Sequence, residues 1–299
     1  MQYIDLMMEK AGYPEEPRAF FRELCAKLAA DRRYEPLAKR LLDHDYTDVD
    51  EGVLNPLRAM APEYGVHEFS LILAFYMDAT ELLREKYAKN NISDELFWFA
   101  MVDYRCKLNE CKVEHDIWGT MSAAWHAPFF HLTRFAHGRL QYDYSVFAED
   151  VYTKGGYTIR RDDPCLRIHI PSAGPLTKDL RLDSYRRAYE FNRERYAEKF
   201  GDAVPITCSS WLLYPAHLQM LPATSNIVSF IGDFDMLSQQ EFDTFSNAGR
   251  VYGPLGKLSP ENWPANTSLQ KAYKERMLSG GKAGSGYGAI FWNENGRVY

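Results

Sequence analysis

The sequence predicts an α+β protein, with a helical first part followed by a mixed sheet that carries helices. Apolar residues recur at helical spacing through about the first 120 residues. Strand-type alternation begins after Trp125. The segments beyond it run strand meander, helix, strand, helix, strand, strand, an order that suits a mixed sheet. The expected division is a helical N-terminal domain over 1–127 and a sheet-containing domain over 128–299.

Each element has its own signature. In "EPRAFFRELCAKLAADRRYEPLAKRLLDHD", Phe20, Leu24, Cys25 and Leu28 share a helical face, as do Leu71, Phe75, Leu82 and Leu83 further on. Ser93, followed by Asp94 and Glu95, reads as the N-cap of a helix with acidic residues in its first turn. In "GRLQYDYSVF", Leu140, Tyr142, Tyr144 and Val146 alternate with Gln141, Asp143 and Ser145, the pattern of a strand. Ala136–His137–Gly138 is a turn before it. "GGYTIRRDDPCLRIHIP" gives two short strands split at Asp162–Asp163–Pro164. A helix follows to about Phe200, and "VPITCSSWLLYP" is apolar enough for an internal strand. "HLQMLPATSNIVSFIGDF" is helical on both sides of Pro222, and "EFDTFSN" and "GYGAIFW" are the last strands. Between them, Thr267 and Gln270 have capping-box spacing, and Gly280–Gly281 ends that helix. "GGKAGSGYG" reads as a flexible segment before the last strand.

The balance of 46% hydrophobic and 25% charged residues is that of a globular chain with a core. A net charge of −6 argues against a general nucleic-acid binder, since phosphate neutralisation drives that affinity. No run approaches the roughly 20 apolar residues that span a bilayer, so no membrane association is expected. The N-terminal stretch lacks the layout of a signal peptide. Five cysteines with no CxxC pair fit reduced thiols of a cytoplasmic protein better than a disulfide scaffold or a metal site.

The stretch "CLRIHIPSAGPLTKDLRLDSYRRAYEF", which begins at Cys165, joins a strand to a helix through small residues. Ile168 and Ile170 point one way, Arg167 and His169 the other. Ser172, Ala173 and Gly174 let a ligand approach the backbone, and Thr177 is placed to cap the helix. The N–H groups there suit a phosphate. Pro175 removes one donor and Asp179 places negative charge in the first turn, so a plain turn is the competing reading. Lys178, Arg181, Arg186 and Arg187 are either phosphate ligands or a solvated helix face.

Several strings resemble a bacterial family that joins a helical N-acyltransferase N-terminal region to a GNAT-like C-terminal domain. They are "GRLQY", "HIPSAGPL", "SWLLYP", "LPATSNIVSF" and "NTSLQKAY", in order between Gly138 and Tyr273. The resemblance implies acyl transfer, expected to be acetyl, from acetyl-CoA or another acyl-CoA to a small-molecule amine. It implies that the pantetheine arm lies between Leu166–Pro171 and Ile206–Leu213, with the pyrophosphate on Ser172–Lys178. The cofactor-binding residues are then Ile170, Ser172, Ala173, Gly174, Leu176, Thr177, Lys178 and Asn226. Of the usual Arg/Gln-x-x-Gly-x-Gly/Ala pattern only Gly174 is present.

Direct attack of an amine on a thioester needs a base and an acid for the departing thiolate. His169, near the end of its strand, is the candidate base, and Tyr214 the candidate acid. Arg139, Gln141, Ser210 and Trp211 are candidate substrate contacts. Their alternatives are an exposed strand face for Arg139 and Gln141, and core packing for Trp211. A non-catalytic metabolite-binding or sensing protein is the competing functional class. The oligomeric state and the acceptor stay open.

Overall fold

The computed structural model describes residues 3–43 and 47–299. The chain divides into two compact units. One comprises Met1–Ala136 with Pro171–Ala173, the other His137–Ile170 with Gly174–Tyr299.

The regular elements described in the first unit are helices up to Phe130, and the longest are Glu68–Lys89 and Asp94–His115. The Ser93 hydroxyl accepts a hydrogen bond from the Leu96 N–H, so the second helix starts where the sequence places it. Two positions differ from expectation by one residue of helical phase. In helix Arg18–Ala29 the buried face is Phe21, Leu24, Cys25 and Leu28, while Phe20 is exposed. In Glu68–Lys89, Leu83 is buried and Leu82 exposed. Adjacent apolar residues make either phase readable, and only packing selects one.

The strands are β1 (Arg134–His137), which spans the boundary at Ala136, and within the second unit β2 (Leu140–Val146), β3 (Val151–Lys154), β4 (Tyr157–Arg160), β5 (Pro164–His169), β6 (Val204–Ser210), β7 (Asp235–Phe242), β8 (Ala283–Asn293) and β9 (Gly296–Arg297). The main sheet has the order β1-β2-β5-β6-β8-β7, with β9 beside β8, and β3 and β4 form a separate hairpin. β5 and β6 run parallel, while β2–β5, β6–β8 and β7–β8 are antiparallel. A parallel pair needs a crossover, and helix Lys178–Arg195 supplies it. One sheet face buries Leu140, Tyr142, Ile168, Ile206, Cys208 and Ile290 against Tyr185 and Ala188 of that helix and against Phe230 and Phe234. Each such side chain contributes roughly 1.5–3 kcal/mol when fully buried.

Three expectations are corrected here. The strand expected at "EFDTFSN" is instead Asp235–Phe242, with an irregularity between Met236 and Ser238. "VPITCSSWLLYP" is not one strand: β6 stops at Ser210, whose hydroxyl accepts from the Leu212 N–H and starts a 3-10 turn over Trp211–Leu213. "GGKAGSGYG" is mostly strand rather than a flexible lead-in. Its glycines make room: a Cβ on Gly284 would meet the Tyr214 ring, and one on Gly286 the Leu213 backbone. The 3-10 turn therefore lies directly on β8.

The helix at 178–195 is held by a buried arginine. Arg181 Nε donates to Asp233 Oδ2 at 2.5 Å and Nη2 to Oδ1 at 3.1 Å. Its Nη1 donates to the Leu176 carbonyl at 2.7 Å, and the Tyr185 hydroxyl completes the carboxylate's shell. Arg181 is thus neither a solvated residue nor a phosphate ligand. Arg186 and Arg187 pair with Asp183 and Glu190 on the outer face of the helix. The capping box of Thr267 and Gln270 is present as read.

Candidate active site

The central parallel pair is registered at two rungs, Leu166↔Ile206 and Arg167↔Thr207. Beyond them β5 continues to His169 and β6 to Ser210. Each keeps its outer partner, β2 at Gln141↔His169 and β8 at Ser210↔Gly286. The two strands therefore part at their C-terminal ends, leaving backbone groups that face one another without a ladder bond. At the last shared rung the buried Thr207 hydroxyl donates to the Leu166 carbonyl at 3.3 Å.

His169 ends β5. Its Nε2 lies 2.7 Å from Asp143 Oδ2, and Arg167 Nη2 donates to the same oxygen at 3.1 Å. Register brings the three together, because Asp143 faces Arg167 and Gln141 faces His169 across the β2–β5 ladder. Asp143 is 7% exposed. A carboxylate so placed orients the imidazole. Sequence alone does not single out Asp143: the alternation puts it on the Gln141 face but does not show that β2 pairs with β5.

The remaining candidates fall into groups. Gln141 is buried, and its Oε1 makes no hydrogen bond among the described residues. Arg139 grips the loop: Nη2 donates to the Gly174 carbonyl at 2.8 Å and Nε to that of Pro175 at 3.0 Å. Gly174 has φ +117°, a conformation that glycine adopts without strain. Ser172 donates to Glu110 Oε1 at 2.8 Å, within the first unit, to which Ala173 also belongs. Ile170 packs at the margin of the sheet core, and the Leu176 side chain is part of that core, so Leu176 offers a ligand only its backbone. Thr177 occupies the N-cap position but makes no side-chain capping bond. Lys178 opens the helix and borders a cavity of about 340 Å³ that Ser229, Trp292 and Arg297 also line. Asn226 is the first residue of helix Asn226–Ile231, and Ser225 is its cap.

Tyr214 stands apart from this group. Its ring is buried, its hydroxyl donates to Glu241 at 2.7 Å, and Arg276 donates to it at 3.0 Å. Burial, then the bond to Glu241, push its pKa up. Trp211 packs edge-on against Phe245, His217 and Tyr273, and Ser210 caps the turn. All five cysteines are buried free thiols, and burial pushes Cys165 up to about 11 and Cys208 higher still, which disfavours a thiolate nucleophile. No cluster of metal-ligating side chains occurs among the described residues.

A mixed sheet whose central parallel strands open after two rungs, followed by a tight loop and a helix, is the frame of a GNAT-like acyltransferase domain. The family model for a GNAT-like C-terminal domain matches residues 134–290, more than half of the chain. The model for an N-acyltransferase N-terminal domain matches residues 2–132. The chain belongs to this two-part acyltransferase family. Among solved structures it resembles an acyltransferase in complex with decanoyl-CoA and teicoplanin, at 18% identity and TM-score 0.65 over 96% of this chain and 99% of that one. An acyltransferase in complex with decanoyl-CoA aligns at 19% identity and TM-score 0.61 over 96% and 98%. A mutant acyltransferase bound to octanoyl-CoA aligns at 17% and 0.63 over 96% and 99%. At these identities the likeness is one of fold. Comparison with curated proteins gives no match.

Proposed function

We propose that the protein transfers an acyl group from an acyl-CoA to a small-molecule amine by direct attack on the thioester. The observation that carries the reading is the parting of β5 and β6 beyond Arg167 and Thr207, with His169 and Asp143 at the open end. The pantetheine amides take the place of the missing ladder partners. The diphosphate lies against the N–H groups of the loop through Leu176, Thr177 and Lys178, with the Lys178 ammonium beside it.

His169 takes the proton as the amine nitrogen attacks. The C–N bond forms, the C–S bond breaks, and the departing thiolate takes a proton from the Tyr214 hydroxyl and leaves as the thiol; the proton that His169 took up restores the tyrosine. Asp143 stabilises the imidazolium formed at Nε2's ring. Gln141 Oε1, a buried acceptor facing His169 across the ladder, receives a donor of the incoming acceptor molecule. The Tyr214 hydroxyl, hydrogen-bonded to Glu241 and Arg276, is the acid of this reading.

The sequence leads to an expectation of acetyl. The fold neighbours carry decanoyl and octanoyl thioesters, which favours including medium chains in the assay. The amine acceptor is consistent with the teicoplanin held by one neighbour. Acyl-CoA is an intracellular metabolite, so the reaction is placed in the cytoplasm. The test is calorimetric titration with CoA and with acetyl-, octanoyl- and decanoyl-CoA, followed by thiol release against a panel of amines. We expect saturable binding of at least one thioester and amine-dependent thiol release. His169→Ala is expected to lower kcat by roughly 10²- to 10⁴-fold with little change in thioester affinity. Failure of every thioester to bind would sink the proposal.

A further inference from the structure

The helical unit contains polar side chains to which the proposed reaction gives no role. Tyr13, Tyr76, Tyr104 and His126 are 0–2% exposed. The three tyrosine hydroxyls and both His126 nitrogens make no hydrogen bond among the described residues. These groups are neighbours. The His126 ring stacks on Tyr104 with centroids 4.1 Å apart and lies 5.2 Å from the Tyr76 ring. Tyr13, Tyr76 and Asp103 are close enough to Tyr104 to act on its hydroxyl electrostatically. His126 Nε2 is 3.5 Å from Asp103 Oδ2, a carboxylate oxygen that the Trp125 indole N–H already binds at 2.8 Å.

Buried hydroxyls and imidazoles are almost always hydrogen-bonded, because a lone one forfeits its hydration without return. Several such atoms converging on one place call for a common partner. The Tyr76, Tyr104 and His126 rings lie against one another, yet their polar atoms bond neither to each other nor to any other described residue. That common partner must both donate and accept, since tyrosine hydroxyls do both and a neutral imidazole does one at each nitrogen. It must also be small, because none of the four residues reaches the surface.

We propose that the helical unit encloses a hydrated polar site, in which ordered water molecules bridge the hydroxyls of Tyr13, Tyr76 and Tyr104 and the imidazole of His126. The closed surroundings suit water rather than an ion: Lys107 and Arg134, each over the Trp125 ring, are balanced by the carboxylates of Asp103 and of Glu110, which pairs with Lys107 at 3.0 Å.

The test is a high-resolution crystal structure of the full chain, together with the melting temperatures of Tyr104→Phe and Tyr76→Phe. Electron density for water within hydrogen-bond distance of at least two of the four side chains is the expected result. With water in place, each Phe variant loses a bridged hydroxyl, and melting falls by roughly 2 °C or more. If the side chains are ordered and no water density joins them, or if they bond directly to one another, the proposal is overturned. A Phe variant that melts at or above the parent also overturns it, because deleting a truly orphaned hydroxyl relieves a penalty.

Discussion

Asp143 sets the direction of His169. Its carboxylate lies 2.7 Å from the imidazole and is itself held by Arg167. Asp143→Asn keeps the shape and removes the charge that the protonated ring needs. In this variant kcat is expected to fall at least roughly tenfold while thioester affinity is unchanged. Calorimetry beside steady-state kinetics separates this from a merely structural effect, which would weaken both. Two other histidines work against the fold in acid. Burial, with Arg276 nearby, lowers His217 to about 4, and burial beside Arg187 lowers His137 to about 3. Between pH 6.5 and these values the unfolded chain binds protons that the folded chain refuses, so stability falls as pH falls. The loss approaches about 1.4 kcal/mol per pH unit for each histidine inside that window. Urea unfolding at pH 7.5 and pH 5.0 measures it. His217→Gln is expected to lessen the difference, and an unchanged difference would show that His217 is not held neutral.

At the scale of elements, the crossover helix is held by a buried ion pair beside the Tyr185 and Ala188 face that packs on the sheet. Arg181→Met leaves Asp233 buried without its partner and is expected to cost about 3–5 kcal/mol. The double variant Arg181→Met with Asp233→Asn should recover part of that loss, which thermal unfolding of both variants checks. If the single variant is as stable as the parent, the pair does not anchor the helix. Nothing in local sequence separates Arg181 from Arg186 and Arg187. All three sit on one basic helix, and only the position of Asp233, far along the chain, decides which is buried. The glycines of β8 pose the same difficulty. They look like a loop because glycine is rare inside strands, yet a 3-10 turn packed against the sheet leaves no room for a Cβ. Caps, by contrast, are local. Ser93 and Thr267 could be read directly because the bonded groups lie within three residues.

For the whole molecule, the helical first part and mixed-sheet second part were legible because their periods differ, 3.6 residues against 2. The strand β5 and the loop after it were legible for the same reason. The register between β2 and β5 was not, and with it the Asp143–His169 contact stayed hidden until the ladder was seen. The most direct measurement is a crystal structure of the chain with CoA. The pantetheine arm is expected between the diverging ends of β5 and β6, with the diphosphate against the loop at Leu176–Lys178. CoA bound elsewhere, or strands joined by further ladder bonds beyond Arg167 and Thr207, would contradict it.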